Sequence, residues 1–121
     1  MSGIYNETFF RNHPEEAKGP GVLYCVILVN KTTLERECLK IGIAYGKNWK
    51  DVLRRSRGFT GYEIRIQKIV HSSLYNCWKL EQELHEKFKE FRFKPNTKFG
   101  GYTECFQIHN EIIRFIPKKI D

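Results

Sequence analysis

A chain of 121 residues with 40% hydrophobic side chains has the length of one domain and can bury a modest apolar core. Its 21 basic and 14 acidic residues give a formal net charge of +7, which favours a polyanionic partner such as nucleic acid. The longest apolar run, residues 22–29, is far too short to cross a bilayer, so the composition argues against a membrane protein.

The first 20 residues form a polar segment that is interrupted by prolines at positions 14 and 20. We interpret residues 1–20 as an N-terminal arm and residues 21–121 as one globular domain. Four apolar residues of the arm could dock it on that domain: Ile4, Tyr5, Phe9 and Phe10.

Two strands are predicted next. Residues 22–29 are apolar throughout and rich in β-branched side chains, which predicts a strand covered on both faces. Turn-forming residues and a second strand over 39–44 follow, and the short connection predicts an antiparallel hairpin. On the second strand Leu39 begins the core face, whereas Lys40 and Gly42 lie on a face that we predict to be small and open.

Asn48 is the predicted N-cap of a short helix that runs to about residue 57. Alternating apolar and polar residues over 62–68 predict a third strand, which ends at the apolar pair 69–70. The strongest helix signal covers residues 73–92. Its apolar stripe consists of Leu80, Leu84, Phe88 and Phe91.

A short extended piece over 103–108 and a last helix over 109–116 complete the chain. The order is strand, strand, helix, strand, long helix, short strand and helix. It indicates an α/β fold in which helices flank a small, mostly antiparallel three-stranded sheet.

Positive charge is concentrated between residues 40 and 68, where eight basic and two acidic residues give a net charge of +6. We therefore expect a phosphate-binding face in this part of the chain. The residues expected to contact nucleic acid there and in a later loop are Lys47, Lys50, Arg54, Arg57 and Lys98.

The cysteines are scattered at positions 25, 38, 77 and 105, with no Cys-x-x-Cys pair and no accompanying pair of histidines. This spacing argues against a zinc site. Isolated cysteines are typical of a reducing compartment, and the first 20 residues lack the apolar segment of a secretory signal. We therefore expect a cytoplasmic protein.

Five short motifs occur in order along the chain. Residues 21–24 read Gly-Val-Leu-Tyr, residues 39–42 Leu-Lys-Ile-Gly and residues 51–55 Asp-Val-Leu-Arg-Arg. Residues 80–85 read Leu-Glu-Gln-Glu-Leu-His and residues 103–106 Thr-Glu-Cys-Phe. In this order the motifs resemble the GIY-YIG endonuclease superfamily. They look most like its phage and restriction-type, T5 Orf172-like branch, in which the second motif is written Lys-Ile-Gly.

The resemblance covers about residues 21–108 and implies a GIY-YIG-like fold. It implies an endonuclease that hydrolyses DNA phosphodiester bonds with one divalent cation, Mg²⁺ or Mn²⁺. Because members of the family often come from phages or other viruses, the resemblance implies a viral source and a location in the host cell cytoplasm. Cutting both strands from one active site per chain would need a homo-oligomer or rebinding.

The resemblance makes Glu81 the metal ligand. This carboxylate follows Leu80, one step off the apolar stripe, so it would lie at the edge of the core, where it could hold Mg²⁺. His85 lies one turn later on the same face and would bond to Glu81 or to a phosphate; a structural histidine fits equally well.

Tyr24 matches the tyrosine that is proposed as the general base in this family. A phenol with an ordinary pKa of about 10 needs nearby positive charge to act near neutral pH. Lys40 replaces the second tyrosine; its ammonium can lower the pKa of the base and contact phosphate. Gly42 would leave room for the backbone to approach a ligand.

Arg55 is the predicted phosphate clamp, because guanidinium can bind two phosphate oxygens and the position fits the Asp-Val-x-x-Arg pattern. Arg54 and Arg57 remain alternatives. Asn96 and Asn110 are candidates for the late asparagine of the family, and Glu104 belongs to a motif but is left outside the catalytic set.

A second hypothesis is a nucleic-acid-binding module of the same fold that has lost turnover. It is favoured by the absence of the second tyrosine and of a clear late asparagine. A third is an accessory factor that binds another protein. All hypotheses of catalysis require two neighbouring strands and the long helix to bring Tyr24, Lys40 and Glu81 around one hollow.

Overall fold

The computed structural model describes residues 5–50, 59, 61–95 and 104–120 of the chain. Within these ranges one antiparallel sheet has the strand order β3-β1-β2-β4. Its strands are β1 (Pro20–Asn30), β2 (Arg36–Tyr45), β3 (Tyr62–Ser73) and β4 (Cys105–Phe106). The predicted α/β fold is confirmed. The sheet has a fourth strand because the predicted extended piece near residue 105 pairs with β2.

The helices of the described ranges are α1 (Glu7–Asn12), α2 (Pro14–Lys18), α3 (Leu74–Lys87) and α4 (Asn110–Phe115). None of them is long and apolar enough to cross a membrane. Asn48 accepts a hydrogen bond from the Lys50 backbone N–H at 2.9 Å, as expected of an N-cap. The rest of that predicted helix lies outside the described residues.

Helix α3 begins where the sequence predicts, since the Ser73 side chain accepts a hydrogen bond from the Asn76 backbone N–H at 3.1 Å. It ends before the predicted residue 92, and a short 3₁₀ helix over Lys89–Phe91 follows. The chain has to turn there to meet β4, because Phe91 O accepts from the Gln107 N–H at 2.7 Å. That return explains the early end of α3.

The predicted arm contains α1 and α2, which pack on the domain. The Phe10 ring is buried, with its centroid 5.4 Å from those of Tyr75 and Trp78 on α3. This aromatic cluster holds α1 against α3. The boundary at residue 21 stays a prediction.

Strand β1 lies in the centre of the sheet and is buried on both faces, as its continuous apolar sequence predicts. One face packs under α3 and α4, where Leu23, Leu84 and Ile112 belong to one core cluster. The other face, with Tyr24 and Lys40, is also covered. The prediction that this second face is open was wrong, because aromatic side chains pack against it: Trp49, Phe59 and Phe93.

Candidate functional site

Tyr24 and Gly42 lie directly opposite each other on the paired strands β1 and β2. A Cβ atom at Gly42 would lie 2.5 Å from Tyr24 Oη and 2.8 Å from Lys40 Nζ, closer than real contacts allow. Glycine therefore makes space for the polar ends of these two side chains. The room that the sequence analysis assigned to a ligand is occupied by the protein itself.

Lys40 is only 2% exposed, and its Nζ donates to Glu104 Oε1 at 2.6 Å. The contact follows from strand register, because Lys40 on β2 pairs with Cys105 on β4, which places Glu104 beside it. The Lys40 ammonium also lies 3.5 Å from Tyr24 Oη. Burial by itself lowers the pKa of Lys40, but Tyr24 and Glu104 together raise the pKa above its usual value, so the ammonium stays charged.

The Tyr24 hydroxyl is buried beside this ammonium. Burial raises the pKa of Tyr24, and the charge of Lys40 lowers it by less. Lys40 thus lowers the pKa of the phenol, as expected, but by less than burial raises it. In the free protein Tyr24 keeps its proton at neutral pH.

Glu81 projects from α3 into the same region and is fully buried. Its Oε2 atom has no hydrogen-bond partner, while Oε1 accepts from the Gln82 side chain at 3.3 Å. Burial and, next, the negative charge of Glu104 raise the pKa of Glu81 to about 8. An orphaned carboxylate oxygen inside a protein requires a proton or a cation.

His85 lies four residues after Glu81 and reaches the edge of β2. Its Nε2 is 3.3 Å from the carbonyl oxygen of Ile41, a residue just beyond the two positions of β2 that pair with β4. A carbonyl only accepts, so Nε2 carries the hydrogen and Nδ1 keeps its lone pair. Burial lowers the pKa of His85, which favours this neutral form.

Glu81, His85 and Glu104 each offer one ligand atom, and these atoms lie within 4.8 Å of one another. Two carboxylates and a neutral imidazole are a donor set that binds divalent cations. The unpartnered Glu81 oxygen within the set shows that the residues present fit such an ion.

The structure therefore brings together four of the predicted site residues, namely Tyr24, Lys40, Glu81 and His85. The Glu104 carboxylate links them: it lies 2.6 Å from Lys40 Nζ and belongs to the cluster of Glu81 and His85. Glu104 was not predicted from sequence to belong to the site, although the Thr-Glu-Cys-Phe motif that contains it was the signal that pointed to it. Sequence alone did not show that this glutamate faces a buried lysine.

Three other predicted residues lie on the surface of the described ranges. Lys47 and Lys50 are exposed on the segment that follows β2, and Asn110 is exposed at the start of α4. Further predictions fall outside the described residues: Arg54, Arg55, Arg57, Asn96 and Lys98.

A family model described as T5orf172 domain matches residues 21–121 of the chain. Comparison with curated proteins and with solved structures gives no match.

Proposed function

Because the chain belongs to the T5orf172 domain family, which is nuclease-related and GIY-YIG-like, we propose that it is an endonuclease that hydrolyses DNA phosphodiester bonds with a divalent cation. The observation that carries the proposal is the cluster of Tyr24, Lys40, Glu81, His85 and Glu104. A phenol, an ammonium, an imidazole and two carboxylates meet there, largely buried. Phosphodiester hydrolysis needs these kinds of groups.

A divalent cation held by Glu81, with His85 and Glu104 nearby, would supply positive charge to the phosphodiester as negative charge develops on it. Lys40 orients Glu104 through the 2.6 Å ion pair. In the resting protein the Tyr24 hydroxyl oxygen accepts a hydrogen bond from the Lys40 ammonium. Loss of the Tyr24 proton to bulk water would leave a phenolate that the ammonium 3.5 Å away stabilises, and this phenolate could then accept a proton from the attacking water.

DNA would be held by cations outside this cluster. Lys47 and Lys50 are exposed on the segment after β2, and the chain carries a formal net charge of +7. The arginine that we propose as the phosphate clamp is Arg55.

The test is cleavage of supercoiled plasmid DNA with Mg²⁺ or Mn²⁺ by the full chain and by two variants, Glu81→Ala and Tyr24→Phe. We expect each variant to cleave at least roughly 100-fold more slowly, because Glu81→Ala loses the proposed metal ligand and Tyr24→Phe loses the proposed base. Glu83→Ala is the matched control, since Glu83 is an exposed carboxylate on the same helix. Equal cleavage by all four proteins would reject this active site.

A DNA-binding module without turnover is the second candidate. One observation favours it: the Lys40 ammonium is committed to Glu104 and is buried, so it does not reach a phosphate in this state. This reading expects salt-sensitive DNA retention with no nicking at any concentration of divalent cation. Nicking that disappears in Glu81→Ala would exclude it.

A further inference from the structure

The Glu81 side chain has a buried oxygen without a hydrogen-bond partner. The carboxylate is fully buried on α3, and its Oε2 has no hydrogen-bond partner. Leaving such an atom unsatisfied is unfavourable, and more so when the group is charged. The atom belongs to a cluster in which ligand atoms of Glu81, His85 and Glu104 lie within 4.8 Å of one another.

A site with three protein ligands suits a different ion from a site in which one carboxylate holds a hydrated ion. Mg²⁺ usually keeps several of its waters and binds through one or two carboxylates. Two buried carboxylates and a half-buried imidazole leave less room for those waters. The arrangement therefore suits an ion that exchanges water for protein ligands readily.

The imidazole of His85 indicates which class of ion the three ligands prefer. Because Nε2 donates to the Ile41 carbonyl, Nδ1 is the nitrogen with a free lone pair. Imidazole is a ligand for first-row transition metals, whereas Mg²⁺ prefers oxygen. The contact with Ile41 also holds the ring in place, as the outer partners of metal-binding histidines do.

Lys40 balances the charge of the set. Its ammonium binds Glu104 Oε1 at 2.6 Å, which leaves the other oxygen of that carboxylate for an ion. With both carboxylates ionised, the two glutamates and Lys40 together carry a net charge of −1, so a dication brings the buried group to +1. An ion and the ammonium can thus share Glu104.

We propose that Glu81, His85 and Glu104 bind one first-row transition-metal dication, of which Mn²⁺ is the probe, in preference to Mg²⁺. The inference rests on the proposed function, since it names the ion that the nuclease site would take and two ligands beyond Glu81. It assigns His85 to the metal rather than to phosphate.

The experiment is a titration of the chelator-treated full chain with Mn²⁺, followed by electron paramagnetic resonance, with Mg²⁺ as competitor. We expect half of the bound Mn²⁺ to be displaced only at a Mg²⁺ excess of roughly 100-fold or more. We expect His85→Gln to weaken Mn²⁺ binding by roughly 10–100-fold and to leave Mg²⁺ binding within about twofold. His71→Gln, at an exposed histidine of β3, is the matched control and should bind Mn²⁺ like the original chain.

A spin-echo measurement on Mn²⁺ bound to the unsubstituted chain needs no variant, so it stands even if His85→Gln fails to fold. We expect modulation from a directly bound ¹⁴N nucleus. Absence of this modulation, or displacement of Mn²⁺ by an equal concentration of Mg²⁺, would overturn the proposal.

The same samples separate this inference from the nuclease proposal. Nitrogen-coordinated Mn²⁺ without any DNA cleavage would support the metal site and reject the nuclease. DNA cleavage with Mg²⁺ in a protein that shows no nitrogen coordination would support the nuclease and reject the three-ligand site.

Discussion

Single residues of the buried cluster are stable only as a group. Lys40 and Glu104 neutralise each other, and Glu81 adds a second carboxylate beside them. An isolated charge in such a place would be strongly unfavourable, and removing one partner of a buried pair typically costs about 3–5 kcal/mol. The chemistry of each group therefore depends on its neighbours more than on its own type.

Replacing Lys40 and Glu104 separately and together should show this dependence. We expect Lys40→Met to lower the free energy of unfolding by about 3 kcal/mol, because it leaves two buried carboxyl groups without a cation. Glu104→Gln should be destabilising as well, since Lys40 then loses its charged partner. The double variant should lose at least about 1 kcal/mol less than the sum of the two single losses, measured by urea unfolding. Additive losses would show that the pair is not coupled.

The buried Glu81 makes stability depend on pH when metal is removed. Burial and Glu104 raise its pKa in the folded state to about 8, from an ordinary value of 4.5. The stability that this group contributes is complete below pH 4.5 and is lost as pH rises toward pH 8, because the folded state then has to bury the charge.

In a chelator we therefore expect the unfolding free energy to fall between pH 5 and pH 8 by about 2 kcal/mol on account of Glu81. Glu81→Gln should flatten this decline and should be the more stable protein at pH 8. Glu83→Gln, at an exposed position of the same helix, should keep the slope of the original chain. A slope unchanged by Glu81→Gln would show that Glu81 is ionised throughout. Urea titrations at each pH provide the measurement.

Helix α3 and strand β4 place the polar groups of the site at the scale of elements. The stripe of Leu80 and Leu84 faces the core, and this orientation turns Glu81 inward at the end of the sheet. In the described ranges β4 pairs with Leu39 and Lys40 of β2, and the carbonyl oxygen of the next residue, Ile41, contacts His85 Nε2. Side chains of α3 and of the residue before β4 therefore meet beside this part of β2.

The packing of α1 on α3 gives a prediction at this scale. Phe10→Ala should reduce the free energy of unfolding by about 3 kcal/mol, because it removes a buried ring from the cluster with Tyr75 and Trp78. Phe9→Ala is the control; its ring is only half-buried and should cost about 1 kcal/mol. Thermal and urea unfolding of both variants would measure the difference. Equal small effects would mean that α1 contributes little to folding.

The net charge of +7 is a property of the whole molecule. If the protein binds DNA as proposed, the number of phosphates that its basic side chains contact sets how the affinity depends on salt. If Lys47 contacts a phosphate, Lys47→Gln should weaken DNA binding similarly for all sequences and reduce the slope of log affinity against log salt by about 1. Lys31→Gln is the matched control, because Lys31 is an exposed lysine in the turn between β1 and β2. Fluorescence anisotropy at four salt concentrations measures the slopes. Equal slopes for both variants would place the DNA elsewhere.

Patterns of local sequence predicted much of the architecture. The apolar run before residue 30, the start of the long helix near residue 73 and the apolar stripe on that helix each depend on neighbours in the chain, and the structure confirms all three. The motif order also indicated that Tyr24, Lys40, Glu81 and His85 share a site. Such features could be predicted because periodicity, capping and turn chemistry act over a few residues.

Only the tertiary structure determines the burial, the hydrogen-bond partners and the pKa of those four side chains. No local pattern shows that Lys40 is buried, that Glu104 binds it across 64 positions of the chain, or that one oxygen of Glu81 lacks a partner. These facts depend on the register of β2 and β4 and on aromatic side chains from parts of the chain that are distant in sequence. Burial and the charges that surround a group determine its pKa, and both arise only when remote segments pack together.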